Sequence, residues 1–213
     1  MGKQDVDINL NLEKVLMISF GFFVMFIAYL SCQNLASKIL EDLGFESLGL
    51  LSVSLIYFVY ACNSMMAAKI IKKFGTRMTL CLSGLSYSFW IGSFLVPAYK
   101  HSKIQEGVDP EELVSDEFII GLFLISGFIL GLGAGPLWVS QNYYVTDCAN
   151  DQNKGRFNSL FWGLFQACNL ISFPLAGFLI SKFSKMAFYI VMTALSILGA
   201  VFLLLLKKPD EQR

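Results

Sequence analysis

The sequence predicts an all-α, multi-pass membrane protein with six transmembrane helices. Six apolar stretches fill most of the 213 residues, and hydrophobic residues make up 55% of the chain against 15% charged residues. The mean hydropathy is +0.61. A helix needs roughly 20 apolar residues to cross about 30 Å of hydrocarbon, and the absence of water there forces the backbone to form helical hydrogen bonds. The predicted spans are Val15–Ser37, Leu48–Ile71, Met78–Tyr99, Phe118–Gln141, Phe157–Ile180 and Met186–Leu206.

The segments between these spans are short and polar, so no separate soluble domain is predicted. We divide the chain into an N-terminal segment, residues 1–14, a transmembrane domain, residues 15–206, and a C-terminal tail, residues 207–213.

Loop charges predict the orientation. With both termini in the cytoplasm, 11 of the 16 basic residues lie on the cytoplasmic side. The loop of residues 101–117, HSKIQEGVDPEELVSDE, is acidic and lies on the other side. Because positively charged loops tend to stay inside, both termini are expected to be cytoplasmic.

Side-chain amides and tyrosines are concentrated in the first, second, fourth and fifth spans. A carboxamide facing lipid is unfavourable by several kcal/mol, so these groups are expected to face a protein interior or a wet cavity. The third and sixth spans are expected to lie outside that lining. The alternative is hydrogen bonding between helices with no ligand. The candidate cavity-lining residues are Gln33, Asn34, Asn63, Gln141, Tyr144, Gln166 and Asn169.

The fourth span carries glycines at every fourth position, Gly127, Gly131 and Gly135, followed by Pro136. Small residues four apart lie on one helix face and let two backbones approach closely. Proline removes a helical hydrogen bond and can kink the helix. Tight packing and a hinge used in conformational switching are both compatible with this pattern.

A weak internal repeat is also visible. Gly21-Phe22 precedes Gln33-Asn34 in the first span, and Gly127-Phe128 precedes Gln141-Asn142 in the fourth. An inverted repeat of three plus three helices would place the two amide pairs at opposite membrane faces. Coincidence is the alternative.

Several classes of function are disfavoured. No acidic residue, histidine or arginine falls within the centre of a span, so no proton carrier is evident. The five cysteines form neither a CxxC pair nor a cluster with histidine, so no metal site, disulfide framework or cofactor is expected. Catalytic signatures such as HExxH and GxSxG are missing, so an enzyme is not predicted. Basic and acidic residues number 16 each, which gives no reason to expect a nucleic-acid partner.

The loop after the second span reads from Ala68 to Arg77 as AKIIKKFGTR. It resembles the major facilitator loop motif Gly-x-x-x-Asp-Arg-x-Gly-Arg-Arg. Gly75 and Arg77 match, and Lys73 replaces an arginine. Ala68 and Lys72 stand where the motif has glycine and aspartate, so the motif's salt bridge to a neighbouring helix is not implied here.

Longer segments resemble the Unc-93-like family, which has major facilitator architecture. They are GFFVMFIAYLSCQNLASKIL, LGLLSVSLIYFVYACNSMMAAKIIKKFGTR, GLGAGPLWVSQNYYVT and FNSLFWGLFQACNLI, between about Ile18 and Ile180. The resemblance implies transport of a small solute. It equally implies a non-transporting regulator or trafficking partner of another membrane protein, because the family includes potassium-channel regulators and trafficking chaperones. A proline expected near the end of the second span is replaced around Ala67-Ala68, and local helix geometry is expected to differ there.

Members of that family carry about twelve spans in two six-helix halves, and this chain resembles the N-terminal half. The expected partners are therefore the lipid bilayer and a second six-helix half, either a second copy or a missing C-terminal half. A membrane-protein client is a further expected partner. Which solute is moved, and in which membrane, does not follow from the sequence.

Overall fold

The computed structural model describes residues 9–42, 44–45 and 47–210. Most of the predicted N-terminal segment, residues 1–8, and the end of the tail, residues 211–213, lie outside this range. The described part of the chain is helical and contains no strand. Its helices are α1 Leu12–Asp42, α2 Leu48–Ser64, α3 Ala67–Phe74, α4 Thr76–Ser93, α5 Leu95–Gln105, α6 Asp116–Cys148, α7 Lys154–Lys182 and α8 Lys185–Phe202, with single 3₁₀ turns at Pro110–Glu112 and Leu203–Leu205.

The helices confirm the predicted fold class. Five are long and apolar enough to cross a membrane when α4 and α5 are taken as one, and α2 with α3 makes a sixth. Phe94 between α4 and α5 keeps helical backbone angles, φ −69° and ψ −15°. The third predicted span therefore continues with little interruption into α5.

The second predicted span differs from the single helix expected over Leu48–Ile71. It ends at Ser64 and is followed by α3, which is inclined by 70° to α2. Lys69, Lys72 and Lys73 are exposed on α3, whereas Ala67 is fully buried. Because three lysines within five residues are too unfavourable for hydrocarbon, the chain turns before them and continues as an amphipathic helix typical of a membrane surface.

The helix pairings show an internal symmetry. α1 packs mainly against α7 and α8, α6 packs mainly against α2 and α4, and α4 packs against α8. Exchanging the first three spans for the last three maps the two α1 pairs onto the two α6 pairs, and the pair of α4 and α8 onto itself. This symmetry is the one that a repeat of three plus three helices produces.

The third span, α4 with α5, is a deeply buried part of the bundle. In the most apolar 18-residue stretch of α4 and α5 together, 67% of the residues are buried. This is the largest share among the five unbroken candidate spans in the described residues. The predicted place of the third span outside the cavity lining stays a prediction, and within this half the span is an interior helix. Its serines and Trp90 explain this, since they bond to three neighbours. Ser88 Oγ lies 2.8 Å from Ser196 Oγ, Trp90 Nε1 donates to Ser52 Oγ at 3.3 Å, and Ser126 Oγ donates to Ser93 Oγ at 3.3 Å.

The three glycines of α6 lie against α2. A Cβ on Gly131 would stand 2.6 Å from the Val59 Cβ, and one on Gly135 would stand 2.9 Å from the Ser64 backbone nitrogen. A Cβ on Gly127 would meet Ser52 Oγ at 3.0 Å. The two backbones therefore approach each other over about two helical turns, as small residues permit.

Polar contacts close the two ends of the bundle. At one end, which we call the basic end, the first and last described segments meet: Lys14 Nζ pairs with Asp210 Oδ2 at 2.7 Å, and Asn11 Nδ2 donates to the Asp210 carbonyl at 3.2 Å. At the opposite end Lys185 Nζ pairs with Asp42 Oδ2 at 2.6 Å. Both networks join segments far apart in sequence and fix the relative positions of the helix ends.

Candidate functional site

α7 carries two of the predicted lining residues on a weakly buried helix. In its most apolar 18-residue stretch only 17% of the residues are buried, the lowest share among the five unbroken candidate spans of the described residues. Gln166 is exposed and Asn169 is half-buried. Asn169 Nδ2 donates to Gln166 Oε1 at 2.8 Å, because residues three apart are neighbours on a helix. The pair leaves further amide donors and acceptors directed away from the core.

α2 also carries polar side chains that are not buried in the core, Asn63 and Tyr57. Asn63 is half-buried, and its Nδ2 donates to the Leu132 carbonyl of α6. Tyr57 is 58% exposed. A phenol and an amide thus stand at a surface that would otherwise meet acyl chains.

α1 carries the remaining exposed members. Gln33 is half-buried and Asn34 is exposed. Tyr29, one turn before Gln33, packs edge-on against Tyr87 of α4 with ring centroids 4.8 Å apart. We call the five side chains Gln33, Asn34, Asn63, Gln166 and Asn169 the amide face.

Two predicted lining residues do not belong to the amide face. Gln141 is fully buried within the half, and neither atom of its amide group has a partner in the described structure. Tyr144 is buried, and its hydroxyl donates to the Lys207 carbonyl at 2.6 Å. These two residues lie inside the half, apart from the exposed surface of the other five, and their predicted place in a cavity lining stays a prediction. Their helix face points into the bundle because it continues the buried stripe of Leu137, Ser140 and Cys148.

Sequence reasoning did not single out the aromatic group between α6 and α7. Trp138 and Trp162 stack with centroids 5.7 Å apart and planes 1° from parallel. Phe165 meets Trp138 edge-on at 5.1 Å. Trp162 is 41% exposed and lies one helical turn before Gln166 on the same helix face. Tryptophans in two of the predicted lining spans were the signal that could have identified this group.

The chemistry of this surface is neutral. Its groups are amides, phenols and indoles, which donate and accept hydrogen bonds and offer π faces but do not exchange protons near neutral pH. Among the described residues there is no cluster of histidine, cysteine or acidic side chains that could hold a metal ion. Such a surface suits recognition of a ligand or of another polypeptide by hydrogen bonding and stacking.

The loop motif takes a structural position at the basic end. Gly75 joins α3 to α4 with φ +78° and ψ 157°, a conformation that favours glycine. Arg77 Nη1 donates to the Leu206 carbonyl at 2.9 Å and so ties the start of α4 to the end of the sixth span. Lys73 Nζ lies 5.3 Å from the centroid of the neighbouring Phe74 ring.

Comparison with known proteins agrees with this architecture. The family model described as "Major Facilitator Superfamily" matches residues 16–213. The chain belongs to the major facilitator superfamily.

Within that superfamily it is an Unc-93-like member. It is 27% identical over 209 residues to the "UNC93-like protein MFSD11" of Xenopus laevis, covering 94% of this chain and 42% of the relative. It is 30% identical over 142 residues to the human "Protein unc-93 homolog A", covering 66% of this chain and 26% of the relative. It is 27% identical over 162 residues to the "UNC93-like protein 3" of Arabidopsis thaliana, covering 71% of this chain and 29% of the relative.

This Unc-93-like chain therefore spans about two fifths of the length of its MFSD11 relatives. No solved structure matches it. The match confirms the family resemblance seen in the sequence and establishes an integral, multi-pass membrane protein.

Proposed function

We propose that this chain forms one six-helix half of a transporter that moves a small neutral or zwitterionic solute across the membrane by alternating access. The single observation that carries the proposal is the amide face. All five side chains of the amide face are half-buried or exposed, on helices that would otherwise meet lipid. Because a polar group without a partner is strongly disfavoured in hydrocarbon, this surface calls for a protein partner or a water-filled path.

A second six-helix half satisfies both requirements. In transporters of this architecture the substrate path lies at mid-membrane between the two halves. The exposed amides and Trp162 would then face the path, with α4 and α8 behind them. The second half is either a second copy of this chain or another segment of a longer protein.

The experiment uses the protein at its full natural length, reconstituted in liposomes. Neutral and zwitterionic amino acids, nucleosides and hexoses are first ranked by thermal stabilisation of the purified protein, and radiolabelled forms of the best are then tested in counterflow. The variant Gln166→Leu/Asn169→Leu keeps side-chain size but removes the amide pair. It should reduce flux about 5- to 30-fold, because one or two lost hydrogen bonds of about 1 kcal/mol each weaken recognition to that extent.

The matched control is Thr193→Val on α8, whose hydroxyl donates to the Tyr189 carbonyl of its own helix at 2.7 Å. It should leave flux unchanged. Flux that survives the double amide variant, with both proteins equally folded and inserted, contradicts a role of the amide face in transport.

A non-transporting role, as regulator or trafficking partner of another membrane protein, is the second candidate. The specific observation favouring it is the neutral chemistry of the amide face, which offers no intramembrane acid or base to couple a proton gradient. In that role the amides would bind a client helix. Crosslinking through a photoreactive residue at position 166 in native membranes should then capture one specific client, and liposomes holding the pure protein should show no counterflow.

A further inference from the structure

One cavity at the basic end is not part of the amide face. Its volume is about 720 Å³. The walls come from three places: the α3–α4 junction with Phe74, Gly75 and Arg77, the end of α6 with Tyr144 and Asp147, and the tail. The tail contributes Lys207, Lys208, Pro209 and Asp210. The cavity therefore exists only when segments more than 100 residues apart are brought together.

Its charge is predominantly positive. Arg77, Lys207 and Lys208 contribute three cations, against the carboxylates of Asp147 and Asp210. Asp210 is already neutralised by the buried Lys14 at 2.7 Å. Arg77 donates one N–H to the Leu206 carbonyl. A guanidinium carries five N–H donors, so this bond uses one of the five.

The adjacent surface is basic as well. α3 turns 70° away from α2 and presents Lys69, Lys72 and Lys73 to the exterior. Its last residue, Phe74, is half-exposed and forms part of the cavity wall. An amphipathic helix of this kind lies at headgroup level, where lysines attract anionic lipid and the aromatic ring packs against acyl chains.

We propose that this cavity is a binding site for a phosphate group, with the phosphate of an anionic phospholipid as the source that its position favours. Arg77 would hold the phosphate in the planar, two-bond geometry that guanidinium groups adopt. Lys207 and Lys208 would add point charges, and the α3 lysines would enrich anionic lipid around the entrance. In the predicted orientation the basic end faces the cytoplasmic leaflet, which carries the anionic lipids. This inference is independent of whether the protein transports a solute.

The test measures binding of fluorescent phosphatidylserine and phosphatidylcholine to the full-length protein purified in an uncharged maltoside detergent. Phosphatidylserine should bind more tightly. Each basic residue near a charged surface contributes about fivefold in affinity, so Lys207→Gln/Lys208→Gln should weaken binding about 25-fold. The matched control Lys38→Gln/Lys182→Gln neutralises two exposed lysines near the C-terminal ends of α1 and α7, away from the basic end. It should bind phosphatidylserine as tightly as the unaltered protein does.

A second variant acts in the opposite direction and does not depend on the tail. Asp147→Asn removes an anion from the cavity wall and should tighten phosphatidylserine binding about fivefold. Phosphatidylserine binding that neither variant changes overturns the site, and equal binding of the two lipids overturns its preference for an anionic lipid.

Soluble competitors distinguish the two sources of phosphate. If inorganic phosphate and glycerol 3-phosphate fail to displace the fluorescent lipid at millimolar concentration, the lipid is the ligand. If either displaces it and binds as tightly, the phosphate site stands and the lipid assignment is refuted.

Discussion

The close approach of α6 to α2 makes Gly131 the most informative position for a packing test. Replacing Gly131 with alanine adds a Cβ 2.6 Å from the Val59 Cβ and 2.9 Å from the Ile56 carbonyl oxygen. Carbon atoms in comfortable contact are about 3.5–4.0 Å apart. Since one of the opposing atoms belongs to the backbone, a side-chain rotation cannot relieve the overlap, and α2 has to move by about 1 Å.

The expected magnitude follows from a paired comparison. Overpacking a well-packed interior destabilises by about 1–3 kcal/mol, whereas glycine to alanine inside a helix stabilises by about 0.5–1 kcal/mol. Gly121 lies in the same helix, and a Cβ there meets nothing within 4 Å. Gly121→Ala therefore carries the propensity gain without the overlap, and the difference between the two variants isolates the overlap at about 1–3 kcal/mol.

Thermal unfolding in detergent can be followed with a dye that fluoresces on reaction with thiols. Cys32, Cys81 and Cys168 are buried thiols, so they report loss of packing. At about 2–4 °C per kcal/mol for a chain of this size, Gly131→Ala should melt about 2–12 °C below Gly121→Ala. If the two variants melt together, or if Gly131→Ala is the more stable, then α6 does not approach α2 through its glycines.

Three further outcomes are expected. Gly199→Ala should lower the melting temperature, because its Cβ would stand 2.7 Å from the Met25 backbone nitrogen, and an unchanged melting temperature would place α8 farther from α1. A double-mutant cycle of Ser88→Ala and Ser196→Ala should give a coupling of about 0.6 kcal/mol, with additive effects counting against the 2.8 Å hydroxyl pair. Cys62 is the exposed thiol and should react first with a membrane-permeant maleimide, so a fast-reacting thiol that persists in Cys62→Ser would contradict its exposure.

The sequence alone was sufficient for the helices and their approximate limits. An apolar run of about 20 residues has one stable outcome in a bilayer, so the positions of five spans depend on each segment's own residues. The second span shows where that reasoning stops. Hydropathy predicted that the second span extends to Ile71, whereas α2 ends at Ser64. The helix ends earlier because Lys69, Lys72 and Lys73 have to reach the membrane surface.

Composition could not decide which way each polar side chain points. Gln141 and Gln166 are both amides in apolar helices, yet Gln141 is fully buried and Gln166 is exposed. The difference arises from the partner helices: α6 is packed against both α2 and α4, whereas α7 packs mainly against α1. A helix with one main neighbour leaves more of its circumference uncovered.

What the sequence determined by itself is thus the class of protein: a chain of apolar helices with basic residues gathered at one end, since both properties are read from local composition. Only the tertiary structure decided which residues form a common surface. The basic cavity unites Arg77 with Lys207, and the bond from Arg77 to Leu206 joins positions 129 residues apart. Helix packing, which depends on the fit of small residues such as Gly131 against Val59, determines those distances.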